Sequence, residues 1–476
     1  MFILNFIKKE KEHRIPNIFE AILTFAVLVL VMVIGIKVFK ASPHIPMMLG
    51  VMFASLMALR LGYTWIEVEE AMISGISRAM QAIIILAIIG ILVGVWIVSG
   101  VVPTMIYFGL KIISPSAFLV CAILICSITS LATGTSWGTV GTMGIALVGI
   151  ASGLGIPAPV ACGAIISGAY FGDKMSPLSE TTNLAPAMAG TDVFTHIKFM
   201  MKPTIITYSI CIVLYLILGF KYSDAGSGQI DSINTLIDGI SNAYTVNPVL
   251  FIPPIIVILA IALKVPAMPG ITLGVISAGI LMPFFQDTSI SELLEAAYSG
   301  VISNTGNKEL DLLLSKGGLM SMMPSIALTI IAMMFGGIVE ETKQLEVIVN
   351  KLLKLVKTPF GLINLTQATC IASNATMPEQ YISLVVPGRM YEKSYKKMGL
   401  APETLSNALE SAGTVTSVLI PYNTCGVYIS GVLGVATLSY APYAFFNLLM
   451  PVTVAILAFF GIVVRYDEES DRFENV

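Results

Sequence analysis

The sequence predicts an all-α membrane protein that crosses the bilayer several times, and three observations support this fold class. Hydrophobic residues make up 56% of the 476 residues and charged residues only 12%, whereas an ordinary soluble domain has about 25% charged residues. Long apolar runs recur along the chain, and several approach the ~20 residues that a spanning helix needs. Glycine and proline also interrupt polar segments at matching places in the two halves of the chain.

The apolar runs leave no room for a large soluble module. They include residues 21–38, 83–97, 205–218 and 455–464. With shorter and interrupted runs included, we expect about ten to twelve spans, so the function must lie within the lipid bilayer. The formal net charge of −3 and the absence of a basic block exclude nucleic acid as a partner.

Basic residues precede the first hydrophobic segment, at Lys8, Lys9, Lys11 and Arg14. Because basic residues favour the cytoplasmic side of a membrane, we expect a cytoplasmic N-terminus. The apolar run that follows is too long for a signal peptide and lacks a small-residue cleavage site. We therefore expect that it is retained as the first transmembrane helix.

Weak internal similarity indicates a duplication. Residues 88–94 (IIGILVG) resemble residues 330–336 (IIAMMFG), at an offset of 242 from residue 88 to residue 330. Residues 111–115 (KIISP) and 175–179 (MSPLS) resemble residues 355–359 (LVKTP) and 419–423 (LIPYN), both at an offset of 244. Transporter halves of this kind are commonly inverted relative to each other in the membrane, so we expect two inverted-topology repeats.

The predicted organisation has five parts. These are an N-terminal segment with the first transmembrane helix (1–39), repeat one (40–220), a polar linker (221–247), repeat two (248–464) and a polar C-terminal tail (465–476). A parallel arrangement of the halves is the alternative, and it would need an even number of spans in each half.

Each half contains two polar segments that glycine or proline interrupts. They are residues 133–139 (TGTSWGT), 172–183 (GDKMSPLSETTN), 373–379 (SNATMPE) and 417–424 (SVLIPYNT). Such segments form re-entrant hairpins or broken transmembrane helices, whose free backbone groups must face protein, water or an ion. Their carboxylate, hydroxyl, amide and carbonyl oxygens suit an alkali cation. The alternative interpretation is that small residues merely allow close helix packing.

Asp173 and Glu180 are the strongest functional candidates. An ionisable residue deep in the membrane costs about 2.5 to 3.5 kcal/mol on insertion scales and is a functional candidate by default. Asp173 could instead pair with Lys174, but adjacent residues on a helix do not face each other. Glu379 and Glu410 are weaker candidates, because both lie near polar loops where water could solvate them.

The segment at residues 171–197 (FGDKMSPLSETTNLAPAMAGTDVFTHI) resembles the NhaC family of sodium/proton antiporters. The resemblance extends through residues 94–107 (GVWIVSGVVPTMIY), 134–147 (GTSWGTVGTMGIAL) and 411–426 (SAGTVTSVLIPYNTCG) and covers nearly the whole chain. It implies a multi-pass antiporter in a bacterial or archaeal plasma membrane, with scaffold and transport domains, elevator-like motion and a homodimeric assembly. Glu180 stands where the family often has an aspartate.

We therefore predict exchange of Na+ for H+ by competition for one intramembrane carboxylate. Asp173 is the central residue, assisted by Glu180, and burial lets protons compete with Na+ because it disfavours the charged carboxylate. Asp173, Asn374 and Asn423 are the Na+ candidates. The full predicted set of ion- and proton-binding residues comprises Asp173, Glu180, Ser176, Ser179, Thr181, Asn183, Thr135, Ser136, Asn374, Thr376, Glu379, Asn423 and Thr424. Apart from the transported ions, we expect no cofactor.

Three other classes of function are weighed against this one. A sodium-coupled exchanger of organic acids, of the malate/lactate type, or of amino acids would need a cationic anchor or helix N-termini. Lys174 and Arg389 are the nearby basic candidates, and neither is expected within the membrane. An enzyme would need a motif such as HExxH or GxSxG, which the sequence lacks, and a channel does not require paired broken segments.

Overall fold

The computed structural model describes residues 13–222, 227–354 and 356–467, without the side chains of residues 227–232 and 309. Within these ranges the regular structure is helical, and one isolated bridge joins Leu400 to Tyr466. Lys8, Lys9 and Lys11 of the predicted basic segment lie outside the described residues. So do residues 223–226 of the predicted linker and residues 468–476 of the predicted tail.

The helices up to the predicted linker begin with the first apolar run and end at Lys221. They are α1 (Ile18–Val33), α2 (His44–Arg60), α3 (Trp65–Arg78), α4 (Met80–Val98), α5 (Val101–Ile112), α6 (Phe118–Thr133), α7 (Ser136–Thr139), α8 (Ile145–Gly153), α9 (Ala158–Met175), α10 (Glu180–Ala189) and α11 (Val193–Lys221). A π-helical turn, Ile34–Val38, extends α1, and another, Val140–Gly144, joins α7 to α8.

The remaining helices follow from Ser227 onward. They are α12 (Ser227–Ala243), α13 (Ile252–Ala262), α14 (Ala267–Phe285), α15 (Ile290–Ser299), α16 (Lys308–Leu314), α17 (Leu319–Glu341), α18 (Gln344–Leu353), α19 (Pro359–Thr376), α20 (Ile382–Lys397), α21 (Pro402–Leu409), α22 (Thr424–Leu433), α23 (Thr437–Tyr440) and α24 (Phe445–Phe459). A π-helical turn, Glu410–Thr414, continues α21, and short 3-10 turns occur at Pro248–Phe251, Ser417–Leu419 and Ala441–Tyr443.

The helices identify a polytopic membrane protein with interrupted spans. In the described part of the chain, α1 with its π-helical turn, α4, α11, α14 and α17 are long and apolar enough to cross a membrane. Two helix pairs form bent segments, Ile233–Ala243 with Pro248–Ala262 at 96° and Thr424–Leu433 with Thr437–Tyr443 at 87°. The shorter apolar helices are α2, α5, α6 and α24. The total of about ten to twelve spans stays a prediction.

The same order of elements occurs twice along the chain. Each unit consists of a helix, a break and a further helical segment. In the first half the units are α6 with α7 and α8, and α9 with α10; in the second half they are α19 with α20, and α21 with α22. Helix α9 begins at residue 158 and α21 at residue 402, while α10 begins at residue 180 and α22 at residue 424, so both offsets are 244. The inversion of the halves and their bounds remain predictions.

Polar side chains cap the helices that begin after the breaks. Thr135 accepts a hydrogen bond from the Gly138 N–H at 3.2 Å at the start of α7. Ser179 caps α10, and Asn423 caps α22 by accepting from the Cys425 N–H at 3.0 Å. These caps satisfy some of the backbone N–H groups that a continuous helix would pair internally.

Helix α9 packs closely against α6, and glycine permits this approach. A Cβ atom at Gly172 would lie 2.5 Å from the Ser127 carbonyl oxygen on α6. At the end of α6, Gly134 has a φ of +72°, and a Cβ there would lie 2.7 Å from the Leu178 carbonyl carbon. The breaks after α6 and after α9 therefore cross in direct contact, which brings Asp173 beside the start of α7.

We expect the substitution Gly172→Ala to destabilise the protein, because its Cβ would meet rigid backbone. An overpacked site costs about 1–3 kcal/mol, so the denaturation temperature of the purified protein in detergent should fall measurably. Gly279→Ala in α14 is the matched control, since its nearest neighbour would be a Leu293 side-chain atom at 3.5 Å. Equal denaturation temperatures for the two variants would contradict the close packing of α6 and α9.

Candidate ion-binding site

A cavity of about 570 Å³ lies where the breaks of the first half meet the start of α20. Predicted site residues in its wall are Thr135, Ser136, Asp173, Ser179, Glu180, Thr181, Asn183 and Glu379. Other polar residues in the wall are Arg78, Gln81, Lys264, Gln380 and Tyr381. The structure therefore brings together three carboxylates that are separated in the sequence by up to about two hundred residues, as the compact packing of broken helices allows.

Asp173 lies in the last turn of α9, and its side chain is 6% exposed. Its Oδ2 atom accepts a hydrogen bond from the Ser136 hydroxyl at 2.6 Å and another from the Ser136 N–H at 3.2 Å. The carboxylate thus caps the N-terminus of α7, where the helix dipole favours negative charge. Asp173 is therefore a buried carboxylate at a helix start that also forms part of the cavity wall.

A chain of hydroxyl groups leads from the cavity to a second buried carboxylate. The Ser179 and Thr181 hydroxyl groups lie 3.1 Å apart. The Thr181 hydroxyl donates to Glu410 Oε1 at 3.3 Å. Glu410 therefore lies directly behind the wall of the cavity, although it does not line it.

Glu180 and Glu379 have different surroundings. Glu180 is exposed to the cavity and accepts a hydrogen bond from the Tyr381 hydroxyl. Glu379 is buried and accepts from the backbone N–H groups of Tyr381 at 2.7 Å and Ile382 at 3.1 Å. The Glu379 carboxylate therefore caps the start of α20, whereas the Glu180 carboxylate is open to solutes that enter the cavity.

Five predicted residues lie outside the cavity wall. The Ser176 hydroxyl donates to the Leu131 carbonyl at 2.8 Å, and the Thr376 hydroxyl donates to the Ala372 carbonyl at 2.8 Å. Asn374 and Asn423 hydrogen-bond to each other, and Thr424 follows Asn423 at the start of α22. The predicted set therefore includes a cavity group around Asp173 and an enclosed pair, Asn374 and Asn423, while Ser176 and Thr376 are bonded to helix carbonyl groups.

Comparisons with known proteins identify the family. The model of the Na+/H+ antiporter family matches residues 168–462. The chain is 36% identical over 461 residues to the malate-2H(+)/Na(+)-lactate antiporter of Bacillus subtilis, covering 97% of this chain and 98% of that protein. It is 35% identical over 448 residues to the Na(+)/H(+) antiporter NhaC of Alkalihalophilus pseudofirmus, covering 94% and 96%. The chain belongs to the Na+/H+ antiporter family.

The predicted resemblance to NhaC antiporters is thereby confirmed, and members of this family are transporters rather than enzymes. A further relative is the arginine/ornithine antiporter ArcD of Halobacterium salinarum, 36% identical over 460 residues, with 96% of this chain and 95% of that protein covered. These relatives cover nearly the full length of the chain. Their printed names differ in the solutes exchanged, so family membership alone does not define the solute.

Lys174, which the sequence did not place within the membrane, is completely buried in the protein. Its side chain is 0% exposed. The Nζ atom donates to the Ser411 hydroxyl at 3.1 Å and lies 3.4 Å from Met200 Sδ. The adjacent side chains of Asp173 and Lys174 therefore lie on different sides of α9, because successive side chains on a helix diverge.

The expectation that water could solvate Glu379 and Glu410 near polar loops is wrong, because both side chains are buried. Glu410 is the more enclosed of the two. It is 0% exposed and begins the π-helical turn Glu410–Thr414. Its carboxylate lies near enough to Lys174 for the two charges to interact. The sequence around it is polar enough to resemble a loop, but α11, α19 and α20 pack over this region. A π-helical turn often marks a functional site.

Five polar residues in the cavity wall, Arg78, Gln81, Lys264, Gln380 and Tyr381, were not among the predicted site residues. Arg78 comes from α3 and forms an ion pair with Glu340 of α17 at 2.6 Å. Lys264 follows α13, and Tyr381 precedes α20. Each lies far in sequence from Asp173, and no local motif connects them, so only tertiary packing could reveal their shared position.

We expect Lys174→Met and Glu410→Gln each to lower the stability of the protein. The sum of the two losses should exceed the loss measured for the double variant. Removing either of these two buried opposite charges leaves the other uncompensated, whereas neutralising both avoids that penalty. The penalty should lie below the about 3–5 kcal/mol of a buried pair in direct contact, because no ion pair joins the two side chains in the described part of the chain. Denaturation temperatures of the four purified proteins form the thermodynamic cycle. Strictly additive losses in the double variant would contradict an interaction between the two charges.

Proposed function

We propose that the protein exchanges Na+ for H+ across a bacterial or archaeal plasma membrane, with both ions competing for Asp173. The observation that carries the proposal is the position of this carboxylate, buried at the end of α9 yet part of the wall of a polar cavity. Full-length similarity to Na+/H+ antiporters supports the same conclusion.

Sodium binding at Asp173 would use oxygen atoms that already lie nearby. The Ser136 hydroxyl contacts the carboxylate, and the Ser179 and Thr181 hydroxyl groups lie in the same cavity wall. Na+ has hard-cation chemistry and prefers such carboxylate and hydroxyl oxygens. Glu180 adds negative charge on the open side of the cavity, where it would attract the cation before it reaches Asp173.

Proton binding follows when Na+ leaves. An ionised carboxylate without a cation is unfavourable in a low-dielectric environment, so Asp173 takes up a proton instead. The same carboxylate is then neutralised by either ion, and competition provides the exchange. Unequal numbers of Na+ and H+ would couple transport to the membrane potential at about 2.3 kcal/mol per charge and 100 mV.

Alternating access requires that one group of helices moves relative to another. Helices α6 to α10 and α19 to α22 contain the crossing breaks and form the proposed transport domain. Helices α2, α3, α4 and α17 pack together beside it, and form part of the proposed scaffold. The elevator-like motion, the homodimer, the inverted repeats and the cytoplasmic N-terminus are parts of this proposal.

A second candidate function is the sodium-coupled exchange of organic acids. Lys264 places a positive charge in the cavity wall, beside Arg78, which is paired with Glu340, and α10 begins there. Helix N-termini favour anions, and a cavity of about 570 Å³ exceeds the space that one Na+ requires. The malate-2H(+)/Na(+)-lactate antiporter of Bacillus subtilis, a full-length relative, makes this chemistry a specific alternative.

We expect Asp173→Asn to abolish sodium-triggered proton movement, because an amide keeps the size of the side chain but cannot exchange a proton or carry charge. The measurement uses proteoliposomes with the purified protein and a pH-sensitive dye inside. Asp287→Asn, at an exposed position, is the matched control. Unchanged exchange in the Asp173→Asn proteoliposomes would refute the central role of this carboxylate.

We expect Na+ alone to trigger proton movement in the same proteoliposomes, without organic acids. Malate on one side and lactate on the other should therefore not be required. A signal that appears only with both acids, and that Lys264→Gln weakens, would instead support the second candidate. Losing one charge-assisted contact to a carboxylate costs about 1.5–3 kcal/mol, so the apparent KM for the organic acid should rise about tenfold or more in that variant.

A further inference from the structure

We propose that Glu410 is a positioning residue for Na+, because its carboxylate fixes the direction of the hydrogen bonds that run from Ser179 through Thr181 to Glu410. This hydroxyl chain begins in the cavity wall, where Ser179 and Thr181 both lie. Glu410 itself is 0% exposed and does not line the cavity. The inference rests on the proposed exchange at Asp173, and it adds a residue that acts on the ion only through the two hydroxyl groups.

The π-helical turn that begins at Glu410 holds the two helices that border the cavity. This turn packs against α10 and α19. Its first residue contacts α10, because Glu410 Oε1 accepts a hydrogen bond from the Thr181 hydroxyl at 3.3 Å. Its second residue contacts α9, because the Ser411 hydroxyl accepts from Lys174 Nζ at 3.1 Å. The position of the Glu410 carboxylate relative to the cavity wall is therefore defined by contacts on both sides of the break.

Glu410 determines which group donates at each step of the hydroxyl chain. Lys174 supplies a buried positive charge that interacts with the Glu410 carboxylate. An ionised carboxylate only accepts hydrogen bonds, whereas a hydroxyl group has one proton to donate and two lone pairs. Because the Thr181 proton is directed to Glu410, the Ser179 hydroxyl must be the donor in its 3.1 Å contact with the Thr181 hydroxyl.

This direction leaves oxygen lone pairs in the cavity wall for a cation. The Thr181 oxygen accepts from the Ser179 hydroxyl, and the Ser179 oxygen accepts from the Thr182 N–H at 3.4 Å. Among the described residues, these contacts use one of the two lone pairs on each oxygen. Both hydroxyl protons are engaged within the hydroxyl chain, so neither opposes a cation that approaches Asp173.

The adjacent threonine shows what a purely structural hydroxyl group does at this break. The Thr182 hydroxyl donates to the Asp173 carbonyl at 3.0 Å and to the Lys174 carbonyl at 3.1 Å. Bonds of this kind to nearby backbone are the ordinary use of serine and threonine at helix ends. The Thr181 hydroxyl instead donates to a buried carboxylate on a distant part of the chain. Its hydrogen bond therefore indicates a role beyond holding the break together.

The test measures the apparent KM for Na+ of sodium-triggered proton movement in proteoliposomes that contain the full-length protein. Glu410→Gln should raise this KM about tenfold or more, as loss of a group that orients an ion ligand does, because an amide donates as well as accepts. Glu410→Asp keeps the charge near Lys174 but withdraws the carboxylate from a hydroxyl group that is already 3.3 Å away, so it should also raise the KM. The rate at saturating Na+ should change little in either variant.

Two further variants and a control separate this role from a general effect of buried charge. Thr181→Val removes the hydroxyl group and should raise the KM for Na+ in the same way. The double variant Thr181→Val/Glu410→Gln should have about the KM of Thr181→Val alone, because Glu410 acts through that hydroxyl group. Glu403→Gln should keep the wild-type KM, since Glu403 is a buried carboxylate of α21 that pairs with Arg465 at 3.0 Å.

The outcomes distinguish this inference from the proposed function. A wild-type KM in Glu410→Asp, or increases that multiply in the double variant, would overturn the positioning role and leave exchange at Asp173 intact. Absence of sodium-triggered proton movement in the wild type would overturn both. If Glu410→Gln does not fold beside the uncompensated Lys174 charge, Glu410→Asp and Thr181→Val provide the test, since both keep the number of buried charges at this site.

Discussion

The architecture depends on satisfying the backbone groups that broken helices leave free within the membrane. Each unpaired N–H or carbonyl group in hydrocarbon costs several kcal/mol, so a break persists only where side chains, other backbone or a solute supplies partners. Asp173 accepts from the Ser136 N–H, and Glu379 accepts from two N–H groups at the start of α20. These carboxylates therefore stabilise the breaks and also carry the charge that a cation would neutralise, which connects ion binding to the geometry of the helices.

The end of α9 places opposite charges on opposite sides of one helix. Asp173 contributes to the cavity, while Lys174 lies buried near Glu410. The Thr181 hydroxyl connects the two sides, because it lies in the cavity wall and donates to Glu410. A cation bound at Asp173 would therefore change the electrostatic surroundings of the buried Lys174 and Glu410 side chains. In a low-dielectric interior such charges interact more strongly than they would in water.

The sequence could predict the features that depend on local chemistry. Composition and apolar runs identified a helical membrane protein, and glycine and proline marked the breaks on which Asp173 and Asn423 lie. Burial of Lys174 and Glu410 was not predictable, because it depends on packing by α11, α19 and α20, which are distant in sequence. Arg78 and Lys264 reach the cavity for the same reason. The residues of the predicted set also lie in separate places, since sequence spacing does not show which breaks cross.

Direct competition between the two ions at Asp173 is the central claim, and proton release on Na+ binding tests it most directly. The measurement uses purified protein in weakly buffered detergent near neutral pH, with a pH indicator and stepwise addition of Na+. Competition at Asp173 predicts proton release that saturates with Na+ in the wild type and is absent in Asp173→Asn. Saturable Na+ binding without proton release in the wild type, or equal release in Asp173→Asn, would contradict competition at this carboxylate.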